Sequence, residues 1–355
     1  MNQDSYKKII SGQRSNPEDR LLRCVFAFIS IFYFAAVWLR NRAFELKLKK
    51  VKRVSKPVIC IGNLTTGGTG KTPLVIWLCK HLVEKGFSPA VLTRGYKTGK
   101  EKFTDEPALL AKGCDKARIV VNPKRYAGAQ KAINEHHCDV LVMDDGFQHR
   151  QLARDLDIVT IDATCPFGYG KILPAGLLRE PINGLKRADA AVITRYDQAD
   201  ELTIEHLVRK IRGIKSDIVI AKAVHRPTKA VMMKNVEIDI AHLREKKIFA
   251  FCGIGNPKAF LNMLKELGLD IVGSRIYNDH HCYSGDDLND IYEQARYLDA
   301  DVIVSTQKDW VKTALLSMEN KDIDFAYIAV ELEFIEGKQE IINLISDTLE
   351  KKNER

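Results

Sequence analysis

Residues 57–85 read PVICIGNLTTGGTGKTPLVIWLCKHLVEK. The first six, Pro57 to Gly62, are a short apolar run ending in glycine, the pattern of a buried parallel strand. A Gly/Thr loop, GNLTTGGTGKT at 62–72, follows. A helix is expected from about Pro73 to Lys85, and proline suits a helix start because the N–H it lacks has no partner there. Gly67, Gly68 and Gly70 let backbone N–H groups turn inward around a polyphosphate, with Thr65, Thr66 and Thr69 completing the loop. Lys71 can reach the β- and γ-phosphates and Thr72 can ligate magnesium. The helix N-terminus adds partial positive charge. The strict pattern G-x-x-x-x-G-K-[ST] has glycine where this chain has Thr65.

Such a loop needs an acid at the end of a second apolar strand. Residues 138–145, CDVLVMDD, supply one. Asp144 then lies at the carboxyl edge of a parallel sheet, where ligands bind, and is expected to hold magnesium, with Asp145 as a second acid. Further strands are expected at Pro89–Leu92, Arg118–Val121, Val140–Met143, Ile158–Ile161 and Ala190–Ile193, and helices at Ala127–Glu135 and near Ile204–Ile214. Extended residues 217–238 follow. A second alternation begins near Lys246, with strands at Ile248–Cys252, Asp270–Val272, Val302–Ser305 and Tyr327–Val330, and helices at Pro257–Leu267 and Asp287–Leu298. Alternation of this kind predicts α/β architecture, parallel sheets covered by helices. The expected divisions are an N-terminal segment (1–45), a P-loop domain (46–228), a linker (229–245) and a smaller α/β domain (246–350).

Charge is unevenly spread. The 355 residues carry a formal net charge of +9, from 55 Lys/Arg and 46 Asp/Glu. Residues 40–56, RNRAFELKLKKVKRVSK, hold eight basic residues and one Glu, which leaves 47 basic against 45 acidic elsewhere. A nucleic-acid binder spreads its basic footprint over a folded face, so no nucleic-acid partner is expected. The basic block instead adjoins an uncharged run, Cys24 to Leu39, CVFAFISIFYFAAVWL. As a helix its sixteen residues would span about 24 Å, against a hydrocarbon core of roughly 30 Å. Acidic residues before it and arginines after it argue against a secretory signal. It is expected to be a membrane anchor, short-spanning or embedded in one leaflet, with the basic block against anionic headgroups. The eight scattered cysteines, with no C-x-x-C pair, read as reduced core residues of a cytosolic body. The two His-His-Cys triplets, 136–138 and 280–282, lack zinc-finger spacing.

Several strings are more particular: DDGFQHR at 144–150, FGYGKILPAGLLREP at 167–181, RGY at 94–96, DEP at 105–107, KRYAGA at 124–129, NDHH at 278–281 and STQKD at 305–309. Together they resemble the tetraacyldisaccharide 4'-kinase family over about Val58 to Asp309. The familiar FGNG piece is FGYG here, with Tyr169 in place of Asn. The resemblance implies two α/β domains with an active cleft between them. It also implies ATP and magnesium as cofactors, and a lipid disaccharide 1-phosphate phosphorylated on its 4'-hydroxyl at the cytoplasmic face of the inner membrane. No obligate protein partner is implied. In site residues, it points to Asp105 as proton acceptor, with Glu106 the competing acid, and to His280 as the hydrogen-bonding partner of Asp105. It makes Lys71 catalytic and Glu180 a third acid near magnesium or the nucleotide. Arg125, Gln148 and His149 would face the sugar or its phosphate, and Lys308 and Asp309 would brace the cleft. The competing expectation is a membrane-associated P-loop ATPase of the partitioning or site-determining type. Such proteins carry a lysine just before the glycine pair, where this chain has Thr66.

Overall fold

A computed structural model describes residues 3–95, 105–233, 236–279, 281–314, 316 and 322–353. The chain divides into two compact units. The first comprises Gln3–His225 and the residues from Leu332 on; the second is Arg226–Glu331.

In the first unit, α1 (Gln3–Ile10) and α2 (Pro17–Glu45) precede β1 (Val58–Gly62), α3 (Lys71–Glu84), β2 (Pro89–Thr93) and α4 (Asp105–Gly113). Then come β3 (Arg118–Val121), α5 (Arg125–Asn134), β4 (Val140–Asp144), β5 (Leu156–Asp162), β6 (Ala190–Thr194), α6 (Glu201–Ile214) and β7 (Val219–Met232). The strands run in the order β7-β6-β5-β1-β4-β2-β3, every neighbouring pair parallel. The central position of β1 explains why its sequence is apolar throughout. Ile59 and Ile61 face Leu74, Leu78 and Leu82 of α3. On the opposite face, Val58 and Cys60 pack with Ala129 and Ala132 of α5. A strand covered on both faces has no polar alternation to show. The connection after β1 leads to β2, beyond its neighbour β4, whereas the connection after its other neighbour β5 leads away to β6; this divergence opens a crevice at the carboxyl edge where the phosphate loop leaves β1.

The second unit holds β8 (Glu237–Ile238), β9 (Lys247–Cys252), α7 (Pro257–Glu266), β10 (Asp270–Ile276), α8 (Gly285–Tyr297), β11 (Val302–Thr306), α9 (Gln307–Thr313) and most of β12 (Asp324–Glu336). Its parallel order is β10-β9-β11-β12. Alternate residues of β9 again serve two faces: Ile248 and Ala250 pack with Phe260 and Leu264 of α7, and Phe249 and Phe251 with Leu288 and Ile291 of α8.

The chain enters the second unit along β7 and leaves it along β12. It then ends in α10 (Lys338–Asn353). Ile341, Ile345 and Leu349 of α10 join the core formed by α3 and β1. Residues 332–350 therefore belong with the first unit, not with the C-terminal domain that the sequence suggested. An apolar stripe on a terminal helix says that the helix docks, but not on which sheet. All eight cysteines are free.

Candidate active site

The phosphate loop is held in an open ring by its glycines and by a buried polar scaffold. Gly67 (φ 110°) and Gly70 (φ 79°) occupy the left-handed region, where a side chain would add strain. Gly70 is also the N-cap of α3, and no side chain caps that helix. Its first N–H groups are thus left to a bound anion. Beneath the loop, the Thr69 hydroxyl accepts from Asn63 Nδ2 (2.9 Å) and bonds the Thr160 hydroxyl (2.7 Å). The Thr194 hydroxyl donates to Thr69 O (3.0 Å), and Arg195 donates to Gly68 O (2.9 Å). Thr65 is buried and bridges antiparallel to Leu178, while Thr66 N–H donates to Leu177 O (2.8 Å). The position where the strict motif has glycine is thus a backbone contact with residues 177–178.

Strand β4 delivers the two acids. Asp144 is buried at its end. Asp145 follows with φ 50°, a conformation that Asp tolerates better than most residues. That turn aims its carboxylate at two cations: Lys71 Nζ lies 3.5 Å away, and Arg179 binds both oxygens, at 2.7 and 3.0 Å. Burial by itself would raise the Asp145 pKa. Lys71 and Arg179 outweigh it and hold the carboxyl well below the usual carboxylate range. Arg179 also binds Asn63 Oδ1.

Glu180 is fully buried and does not share an ion pair with its neighbour Arg179. Arg187 pairs with it at 2.8 Å, Gln148 donates at 3.0 Å and Asn41 at 3.4 Å. Gln148 also donates to Asn63 O (2.8 Å), so it links the glutamate to the base of the phosphate loop. Arg125 is buried, donating to Asp144 O (3.2 Å) and Asn122 O (3.1 Å). His149 is pushed down to about 4 by burial and by Arg125, Arg154 and Arg94, and is therefore neutral at pH 7. His225 packs on Gly70, where a β-carbon would lie 2.9 Å from its Nε2. Burial and Arg195 lower it to about 4 as well.

Lys71, Thr72, Asp144, Asp145, Gln148 and Glu180 thus gather around one loop and strand edge of the first unit. Asp105 opens α4, but its side chain, like that of Glu106, lies outside the described residues. His280 lies outside them altogether. In the second unit, Lys308 pairs with Asp279 (2.9 Å), and Asp309 is fully buried and accepts from Tyr283 (3.0 Å). Sequence reasoning missed Asn63, Thr160, Thr194, Arg187 and Asn41. Arg179 belongs with them, although it adjoins Glu180 in the LREP string.

Among the described residues, no three His, Cys, Asp or Glu side chains form a ready-made metal cage. A hydroxyl and one carboxylate beside a phosphate loop suit Mg²⁺, which keeps waters and substrate phosphates as its other ligands.

Comparison with known proteins agrees with this geometry. The family model described as tetraacyldisaccharide-1-P 4'-kinase matches residues 22–350. Tetraacyldisaccharide 4'-kinase of Halothermothrix orenii is 33% identical over 335 residues, covering 86% of each chain. That of Syntrophus aciditrophicus is 35% identical over 347 residues, covering 89% of this chain and 92% of the relative. A crystal structure of LpxK from Aquifex aeolicus in complex with ATP superposes with a TM-score of 0.72 at 26% identity, covering 92% of this chain and 99% of that one. With a matching family model over nearly the whole length and the motif residues gathered at one sheet edge, the chain belongs to the tetraacyldisaccharide 4'-kinase family.

Proposed function

We propose that the chain transfers the γ-phosphate of ATP to the 4'-hydroxyl of a tetraacylated disaccharide 1-phosphate. The observation that carries this is the uncapped N-terminus of α3 with Lys71 held beside it by Asp145, in a chain of this family. Phosphoryl transfer needs positioning and charge neutralisation more than covalent chemistry. The loop N–H groups would cradle the phosphates, and Lys71 would follow the charge as it spreads over the transferring group. Asp145, kept ionised by its two cations, fixes Lys71 in place. Magnesium would be held by Thr72 and Asp144 and would neutralise phosphate charge. Asp145 and Glu180 are engaged by arginines, so either would reach the metal only by exchanging partners. Asp105 is the proposed proton acceptor and His280 its partner, with Arg125 and His149 toward the sugar.

The lipid substrate places the work at a membrane. Helix α2 is long and apolar enough to cross one. Its 29 residues extend about 43 Å, well past the sixteen-residue apolar run. Ser30, Val37 and Phe44, spaced by sevens, are buried against the first unit, while Phe28, Ile31, Phe32 and Leu39 are exposed. A helix docked along one stripe and apolar on the rest suits one leaflet of the cytoplasmic face of the inner membrane, with the body outside the hydrocarbon. The test is radiolabel transfer from γ-labelled ATP to the lipid disaccharide. Label recovered on the lipid supports the proposal. ATP hydrolysis that proceeds equally without lipid would favour a switch ATPase instead.

A further inference from the structure

Ser30 lies midway along the apolar stretch of α2, yet it is buried. Its hydroxyl donates to Ile172 O (3.0 Å) and accepts from Ala175 N–H (3.0 Å). One turn on, Tyr33 donates to Arg179 O (3.1 Å). Asn41 donates to Glu180 (3.4 Å) and receives Arg150 on its carbonyl (3.1 Å). From α1, Tyr6 donates to Pro174 O (2.8 Å). Polar groups in such a helix would be costly against lipid; here they are spent on one segment, residues 172–180.

The same segment grips the phosphate loop. Thr66 N–H donates to Leu177 O (2.8 Å), Arg179 N–H donates to Leu64 O (2.7 Å), and Thr65 bridges Leu178. The side chains of Arg179 and Glu180 then bind Asp145 and Gln148. Residues 172–180 are therefore a shared wall, with the anchor helix on one side and the phosphate loop and the Lys71–Asp145 pair on the other.

We propose that Ser30, Tyr33 and Asn41 are positioning residues for phosphoryl transfer, so that the anchor helix shapes the phosphate loop as well as locating the protein. The proposal rests on the kinase reading above. It separates two roles that a membrane helix can have. A pure anchor changes how often the enzyme meets its lipid, which appears as a KM effect on vesicles and vanishes in detergent. A positioning helix changes kcat and nucleotide affinity wherever the lipid is presented.

The test uses the full-length chain in detergent–lipid mixed micelles, where no bilayer has to be found. Ser30→Ala, Tyr33→Phe and Asn41→Ala are compared with wild type for kcat, lipid KM and ADP affinity by calorimetry. Losing one or two net hydrogen bonds should lower kcat by about fivefold to tenfold and weaken ADP by a similar factor, with lipid KM little changed. Ser30→Thr, which keeps the hydroxyl, should recover most of the loss. Normal kcat and ADP affinity in micelles, with a defect confined to phosphatidylethanolamine/phosphatidylglycerol vesicles, would overturn the proposal. Should Ser30→Ala not fold, Tyr33→Phe removes a single oxygen and decides the matter alone. A wild-type chain that binds ADP but labels no lipid would sink the kinase reading, while the ADP measurements would still decide the coupling.

Discussion

The turn from β1 into α3 and the turn from β9 into α7 are made of the same parts: an apolar parallel strand, glycines, and a proline in the first helical turn. They differ in length, eight residues against four, and in the residue that stands just before the helix. Asn256 caps α7, its side chain accepting from Ala259 N–H. Gly70 stands at that position before α3 and offers no side chain. One helix satisfies its own N-terminus, and the other leaves it for an anion. A binding site here is a place where an ordinary stabilising cap has been withheld.

The sharpest break of this comparison is Lys71→Ala. If the open N-terminus serves phosphoryl transfer, losing the adjacent cation should lower kcat by on the order of 10²–10³-fold. Steady-state kinetics retaining more than a tenth of wild-type turnover would make the two turns functionally alike. A smaller effect is expected from Arg179→Ala, which leaves Asp145 with Lys71 alone. Asp145 has a folded pKa depressed below its unfolded value, so its contribution to stability is present above about pH 4 and is lost as pH falls below that toward the folded value. In Arg179→Ala the folded pKa should rise and the acid-unfolding midpoint with it. Circular dichroism across pH 2–6 would show a midpoint moved upward; an unmoved midpoint would mean that Lys71 suffices.

The fold around β1 was legible because its signals are local. Gly67, Gly70 and Lys71 adjoin a strand whose two buried faces make one apolar run, and the acid at the end of β4 follows four apolar residues. The segment 165–181 was not legible as a structure. Its course is set by partners far away in sequence, such as Ser30, Thr65 and Leu64. Its strings were recognisable only as strings, and Arg179 and Glu180 proved to pair with Asp145 and Arg187, not with each other. Helix α10 was missed for a related reason, since its partners are contributed by α3 and β1, more than two hundred residues earlier.

A third experiment probes the electrostatics beside the open turn. His149, with a folded pKa of about 4 against about 6.5 unfolded, should stay neutral down to pH 5 by NMR titration. Its contribution to stability is full above about pH 6.5 and declines as pH falls toward the folded value. Arg125→Ala should bring the pKa up; a His149 that already titrates near 6.5 in the wild type would show that the arginines do not reach it. The mildest prediction sharpens the comparison from the other side. Asn256→Ala removes a cap and should cost about 1 kcal/mol of stability, read by urea unfolding, with ADP affinity unchanged.

The excursion of the chain along β7 and back along β12 fixes an order of events during synthesis. Helix α2 leaves the ribosome before β1 and α3. Ile341, Ile345 and Leu349, which close the core over them, are made only after residues 226–331. At about 5–20 residues per second, that interval lasts roughly 5–20 s. For that time the nascent nucleotide-binding half waits with an open apolar face. Premature termination after residue 331 would therefore leave the second unit nearly complete and the first unclosed, so the lesion would fall on the part of the protein synthesised earliest.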